Sequence, residues 1–204
     1  VIERDGETVS IPEDARGSRR GFPGQNDPSK RPGRANLWNA TEAVGFDPAP
    51  VWGTYPNRFV AWALDAIQCR PWEVLHVCSG ALGRDVGGVR VDIRSDAAPD
   101  VIADGTALPF RSQAFAGVLL DPPYSIETAA ELYGTGYPLP SRLLTEAARV
   151  TRAGGRIGFL HLLVPRPVPS LSLERVFGVT QGCGYRIRAF TVLQRRHPDL
   201  FGEV

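Results

Sequence analysis

The sequence holds no methionine and a single lysine, Lys30, so nearly all of its positive charge is arginine. Arginine suits bidentate phosphate recognition, but a bias toward GC-rich codons explains the same excess more simply. Cysteine is scarce. Cys69, Cys78 and Cys183 are odd in number and far apart, which argues against a disulfide framework or a zinc site and for a reduced, cytoplasmic setting. The three histidines, His76, His161 and His197, are scattered and form no ligand pattern, so no metal is expected. No apolar run has the length of a membrane span, and the amino end is too polar for a signal peptide, so no membrane partner is expected. The sequence opens at Val1, and an initiator is therefore expected to have been removed. Net charge is only +1; any nucleic-acid contact must come from a local basic patch.

What is present suits one globular domain with extensions. Residues 1–50 are rich in Gly, Pro and charge and show no sustained apolar period. Within them the segment Arg16–Arg34 carries Arg16, Arg19, Arg20, Lys30, Arg31 and Arg34 against one acid, Asp27. Such an arm can follow a phosphate backbone, and a solvated tail is the simpler reading. Leu37, Trp38, Phe46, Trp52 and Tyr55 are expected to anchor the segment on the domain. From Phe59 to Ile67 the apolar spacing predicts a helix ending near Cys69. Short strands are predicted over Val74–Cys78, Val89–Ile93 and Val101–Ala103, the second and third reaching or running up to an acid, Asp92 and Asp104. Ser79-Gly80 turns the chain after the first strand, and Gly80 to Val89 is too short for the usual crossover helix of roughly a dozen residues.

The centre of the chain is Gly117-Val118-Leu119-Leu120-Asp121-Pro122-Pro123-Tyr124. A proline lacks the N–H that a central strand must donate, so the strand ends at Leu120 and a stiff loop follows at its carboxyl edge. That loop offers a carboxylate, a fixed carbonyl and a flat ring. If Asp121 and the Pro122 carbonyl each accept a hydrogen from a planar amine, its lone pair localises toward an electrophile, while Tyr124 stacks on the base for roughly 1–3 kcal/mol. A rigid turn followed by a helix cap is the alternative. Beyond it, Ser125 is expected to cap a helix through Leu132. Tyr133, Gly134, Gly136, Tyr137, Pro138 and Pro140 form either a flap or a plain surface loop. Ser141 is expected to cap a helix to Arg152, which Gly154-Gly155 ends. A fifth strand over Ile157–Leu163 contains His161, for which a core role is the default. Leu173–Thr180 and Tyr185–Gln194, joined by a short glycine-rich link, predict an antiparallel hairpin.

Asp121-Pro122-Pro123-Tyr124, followed by the terminal hairpin, resembles the class I S-adenosylmethionine-dependent methyltransferases that act on exocyclic amino groups. Glu146-Ala147-Ala148-Arg149-Val150 with Ala153-Gly154-Gly155-Arg156, and Ala107-Leu108-Pro109-Phe110, are similar to further segments of that family. The likeness runs from about Tyr55 to Gln194. It implies an α/β fold, a Rossmann-like and mostly parallel seven-stranded sheet with an antiparallel C-terminal hairpin. It divides the chain into an extension over 1–50, a methyltransferase domain over 51–197 and a tail over 198–204. S-adenosyl-L-methionine is the implied cofactor, held by Tyr55, Pro56, Cys78, Ser79, Gly80, Asp92, Asp104, Gly105 and Asp121. Asp121, Pro122, Pro123 and Tyr124 would be the catalytic residues. The implied substrate is a nucleobase amino group, in DNA before RNA, with a protein partner as one source of target recognition. A cofactor-binding subunit without activity is the non-enzymatic alternative. Two features depart from the family: His76 stands where an acid is usual, and Gly80 alone matches the usual glycine turn.

Overall fold

The computed structural model describes Tyr55, 58–180 and 186–197, together with the backbone of four short strands nearer the amino end. Those four pair as two antiparallel ribbons, Ile2–Arg4 with Glu7–Val9 and Ala35–Asn39 with Glu42–Gly45. The basic arm, the anchoring side chains before Tyr55, Pro56, Cys183, the hairpin link and the tail over 198–204 lie outside the described residues.

Seven strands form the main sheet: β1 Val74–Val77, β2 Val89–Asp92, β3 Val101–Ile102, β4 Phe115–Leu120, β5 Thr151–His161, β6 Leu171–Val179 and β7 Arg188–Arg195. Their spatial order is β3-β2-β1-β4-β5-β7-β6. The first five run parallel to their neighbours, and β7 is antiparallel to both β5 and β6. The order reverses beside β1 and β4, so a crevice opens at the carboxyl ends of those two strands.

Side chains alternate across the sheet and build two cores. Leu75 and Val77 face one side, where Leu143, Leu144, Ala147 and Val150 of α3 (Pro140–Val150) pack against Val118, Leu120 and Phe159. Val74 and Leu119 face the other side, against Phe59, Val60, Ala63 and Leu64 of α1 (Phe59–Ala66). Phe190 of β7 meets Phe59 edge to face at 5.3 Å, an orientation aromatic quadrupoles favour. His76 shares β1 and is fully buried. Burial pushes its imidazole down to about 4, so it stays neutral, and its Nε2 donates to the Gly87 carbonyl at 3.2 Å.

Only 3-10 turns, Arg84–Val86 and Ser95–Ala97, connect β1 to β2 and β2 to β3. The first matches the expectation that the stretch from Gly80 to Val89 is too short for a crossover helix. Arg90, almost fully buried, stabilises the connection by gripping Asp100 through Nε (3.0 Å) and Nη2 (2.9 Å) and donating Nη1 to the Leu82 carbonyl at 2.7 Å.

Several expectations about element ends need correction, one being that the fifth strand spans Thr151–His161 and not Ile157–Leu163. The first helix stops at Ala66, before Cys69. Ser141 does not cap α3, which begins with Pro140 in its first turn; proline's missing N–H costs nothing there. Gly154-Gly155 does not end that helix but lies within β5. Thr151 pairs with Phe115 and Arg156 with Gly117, so the glycines absorb extra residues in a bulge. A Cβ on Gly155 would meet the Ala116 carbonyl oxygen at 2.5 Å, so no larger residue fits. Finally, β7 begins at Arg188, with Arg186 and Ile187 still in the approach to it.

Candidate active site

Beyond β1 the backbone turns left-handed twice, at Cys78 (φ 56°) and Gly80 (φ 52°). Glycine adopts this conformation freely, whereas a cysteine there costs of order 1 kcal/mol and persists only where its surroundings hold it. Here they do. The Ser79 N–H donates to the Val91 carbonyl at 3.0 Å, and the Gly80 N–H donates to Asp92 Oδ2 at 2.8 Å. Asp92 Oδ1 accepts from the Arg94 N–H at 3.0 Å. The carboxylate thus ties the turn after β1 to the turn after β2, and each oxygen keeps a lone pair for a further donor. At the end of β3, Asp104 Oδ1 accepts the Thr106 N–H at 2.8 Å and its hydroxyl at 2.9 Å, a local side-chain turn. Gly105 is buried beside it; a Cβ there would meet Val77 Cγ1 at 2.7 Å and Leu143 Cδ2 at 2.9 Å.

After β4 the chain presents Asp121 within a polar cluster. The Tyr124 hydroxyl donates to Asp121 Oδ1 at 2.9 Å, and Arg188 Nη1 donates to the same hydroxyl at 3.0 Å. Burial pushes the Asp121 carboxyl from 3.8 up to about 6, against the pull of Arg188 and the Tyr124 hydroxyl. Burial also raises the Tyr124 phenol, with Asp121 adding to it, so Tyr124 stays protonated and can only donate to the carboxylate. The Tyr55 phenol is raised for the same two reasons. Its hydroxyl and Arg188 Nη2 are buried without a hydrogen-bond partner among the described residues. His161 is fully buried behind Tyr124, ring edge to face at 5.4 Å. Its Nδ1 accepts the Leu163 N–H at 3.3 Å, and its Nε2 is buried without a hydrogen-bond partner among the described residues. Burial lowers its pKa, so His161 is a neutral support of the loop, the core role expected of it.

These turns surround a cavity of about 450 Å³, within the range of small-ligand pockets. One wall comes from the turns after β1, β2 and β3: Cys78, Gly80, Asp92, Asp104 and Gly105. Asp121 and Pro123 form a second wall. The third is the end of α2 (Ile126–Tyr133) and the segment that leads to α3, with Tyr133, Thr135, Gly136, Tyr137, Pro138 and Leu139 on the lining. Arg94 stacks its guanidinium over the Tyr133 ring at 5.5 Å, pinning that wall to the turn after β2. The Cys78 thiol is raised by burial, then by Asp92 and Asp121, so it is no thiolate nucleophile.

No family model and no curated protein sequence matches the chain. Solved structures do. TrmN from Thermus thermophilus aligns over 67% of this chain at 23% identity with a TM-score of 0.50, and the chain spans 48% of that protein, about half its length. The fold is that of the Rossmann-like class I methyltransferases. PH0226 from Pyrococcus horikoshii OT3 aligns over 67% of this chain and 87% of its own at 14% identity, TM-score 0.46. A protein in complex with the Haloferax volcanii Trm112 methyltransferase activator aligns over 67% and 88% at 13% identity, TM-score 0.46.

Of the residues singled out from the sequence, Cys78, Gly80, Asp92, Asp104, Gly105, Asp121 and Pro123 line this cavity. Ser79 is buried behind its turn, and Pro122 is buried and off the lining. Tyr55 and Tyr124 stand behind Asp121; Tyr124 engages the carboxylate through its hydroxyl, an arrangement different from the stacking platform expected of it. The rings on the cavity wall are those of Tyr133 and Tyr137, so the loop left open as flap or surface is part of the site. Sequence reasoning missed Arg188 and Arg94. In the sequence Arg188 is one more polar residue of an alternating strand, and Arg94 is an ordinary charged turn residue.

Proposed function

We propose that this chain is an S-adenosylmethionine-dependent N-methyltransferase that acts on an exocyclic amino group of a nucleobase. The observation that carries it is Asp121: at the carboxyl end of β4, on the cavity wall, with Tyr124 bonded to one carboxylate oxygen and the other left for a ligand. The residues fit the cofactor. Gly80, left-handed and without a side chain on the cavity lining, allows close approach of a ligand to the backbone. Asp92 keeps lone pairs for ribose hydroxyls, Asp104 stands ready for an adenine amine, and three carboxylates on the lining suit a cation. S-adenosylmethionine supplies, when bound, an electrophilic methyl group on a positive sulfur.

The chain's own residues do the rest. Above about pH 6 Asp121 is ionised and accepts an N–H of the substrate amine, turning its lone pair out of the ring. The Tyr133–Leu139 wall lies opposite Asp121 across the cavity, and Asp121 itself is held in a low-dielectric setting by burial. The proton released from the methylated amine passes to Asp121 Oδ2 or to water. A base from a duplex must first be flipped, for a few kcal/mol. Calorimetric titration with S-adenosylmethionine tests the reading: wild type binds, and Asp92→Asn weakens binding about 10-fold or more, the scale of a charge-assisted hydrogen bond. Binding that Asp92→Asn leaves intact would place the cofactor elsewhere.

A further inference from the structure

We propose that Arg188 is a positioning residue that holds Tyr124, and through it Asp121, in the state that accepts the substrate amine. The inference rests on the function proposed above. Its geometry is a directed chain. The guanidinium donates to the Tyr124 oxygen at 3.0 Å, and the hydroxyl's only proton goes to Asp121 Oδ1 at 2.9 Å. A donor on the phenol oxygen fixes the direction of that proton, because the oxygen cannot donate back to a guanidinium. Oδ1 therefore already carries one donor, while Oδ2 accepts no hydrogen bond among the described residues and is left for a ligand.

The fold explains how a residue so distant in sequence reaches the loop. β7 runs antiparallel to β5, with Ala189 opposite His161, so its first residue lies at the carboxyl edge where β4 and β5 end. A parallel strand in that place would begin at the opposite edge. The antiparallel strand delivers a cation behind the acidic loop. The cation is held there: burial pulls the Arg188 pKa down, and Tyr124 and Asp121 together outweigh it. The other groups that face Asp121 are Tyr55 before α1, Cys78 after β1 and Tyr133 of α2, and Asp121 holds each of them toward its neutral form. His161 of β5 packs on Tyr124 as a neutral ring. Among the described residues, Arg188 is the one cation acting on Asp121.

The test reads the carboxyl-carbon chemical shift of Asp121 against pH by NMR in the ligand-free protein, for wild type, Arg188→Gln, Tyr124→Phe and the double variant. Arg188→Gln is expected to raise the Asp121 midpoint by about one pH unit, the low end of the effect of a nearby opposite charge. Tyr124→Phe is expected to raise it too, and in that background Arg188→Gln should add less, because its direct charge effect remains while the contact through the hydroxyl is gone. In activity assays the acid limb of kcat/KM moves to higher pH by the same amount in Arg188→Gln, while KM for the cofactor holds. An Asp121 midpoint unmoved in Arg188→Gln overturns the proposal; so does a full Arg188→Gln effect in the Tyr124→Phe background, which would make the coupling direct. If Arg188→Gln does not fold, Tyr124→Phe decides alone: an unmoved midpoint overturns the relay. The titration needs neither acceptor nor methyl donor, so its failure is separable from a failure of the proposed reaction.

Discussion

Asp121→Asn should make the protein more stable at neutral pH, and the gain can be worked from the site. The carboxyl is pushed from an ordinary 3.8 to about 6 by burial in the folded chain. Between those values the unfolded chain has released its proton while the folded chain still holds it. Stability from this group is therefore greatest at or below pH 4, falls as pH rises toward 6, and stays low above it. The 2.2 pH units between 3.8 and 6, at about 1.4 kcal/mol each, give about 3 kcal/mol lost at pH 7. Asparagine has the shape of the protonated acid and can still accept the Tyr124 hydroxyl, so it escapes the loss. Urea unfolding of both proteins from pH 4 to pH 8 should give a difference near zero at pH 4, rising to at most about 3 kcal/mol by pH 7. The other titrating groups are common to both proteins and cancel. A difference that does not change with pH, or an Asp121→Asn protein that is the less stable at pH 7, would refute the reasoning. A group that destabilises its own fold is a mark of a site shaped by function.

Gly105→Ala should destabilise by about 1–3 kcal/mol, because its Cβ would collide with Val77 and Leu143 in a packed core, and urea unfolding at fixed pH checks it. Deletion of residues 1–34 should weaken nucleic-acid binding and flatten its dependence on salt by about 0.9 per lost duplex phosphate contact. Equal slopes of log affinity against log salt would leave the arm a solvated tail. Cofactor affinity should be the same in both proteins.

Much of this site was legible because its signals are local. Two prolines after an apolar run must end a strand, and Ser125 does cap the following helix by accepting the Thr128 N–H. Asp92 and Asp104 followed from strands that stop at acids. Gly154-Gly155 misled because a glycine pair after a helical period suits a helix end as well as a bulge, and only the pairing of β4 with β5 separates the two. Tyr124 offers a ring and a hydroxyl, and sequence cannot say which is used; the neighbouring carboxylate and guanidinium decide it. Arg188 was out of reach for a different reason. Its meaning comes from the register of an antiparallel strand 64 residues beyond Tyr124.

The central claim, methyl transfer to a nucleobase amine held by Asp121, is tested most directly by isotope transfer. The protein is incubated with S-adenosylmethionine labelled in its methyl group and with duplex DNA, single-stranded DNA or RNA. Each polymer is then digested to nucleosides for mass spectrometry. The account predicts label on an exocyclic amino nitrogen in at least one polymer with wild type, and none with Asp121→Asn, although that variant still binds the cofactor. Label at the wild-type rate from Asp121→Asn, or cofactor bound with no label in any polymer, would contradict it.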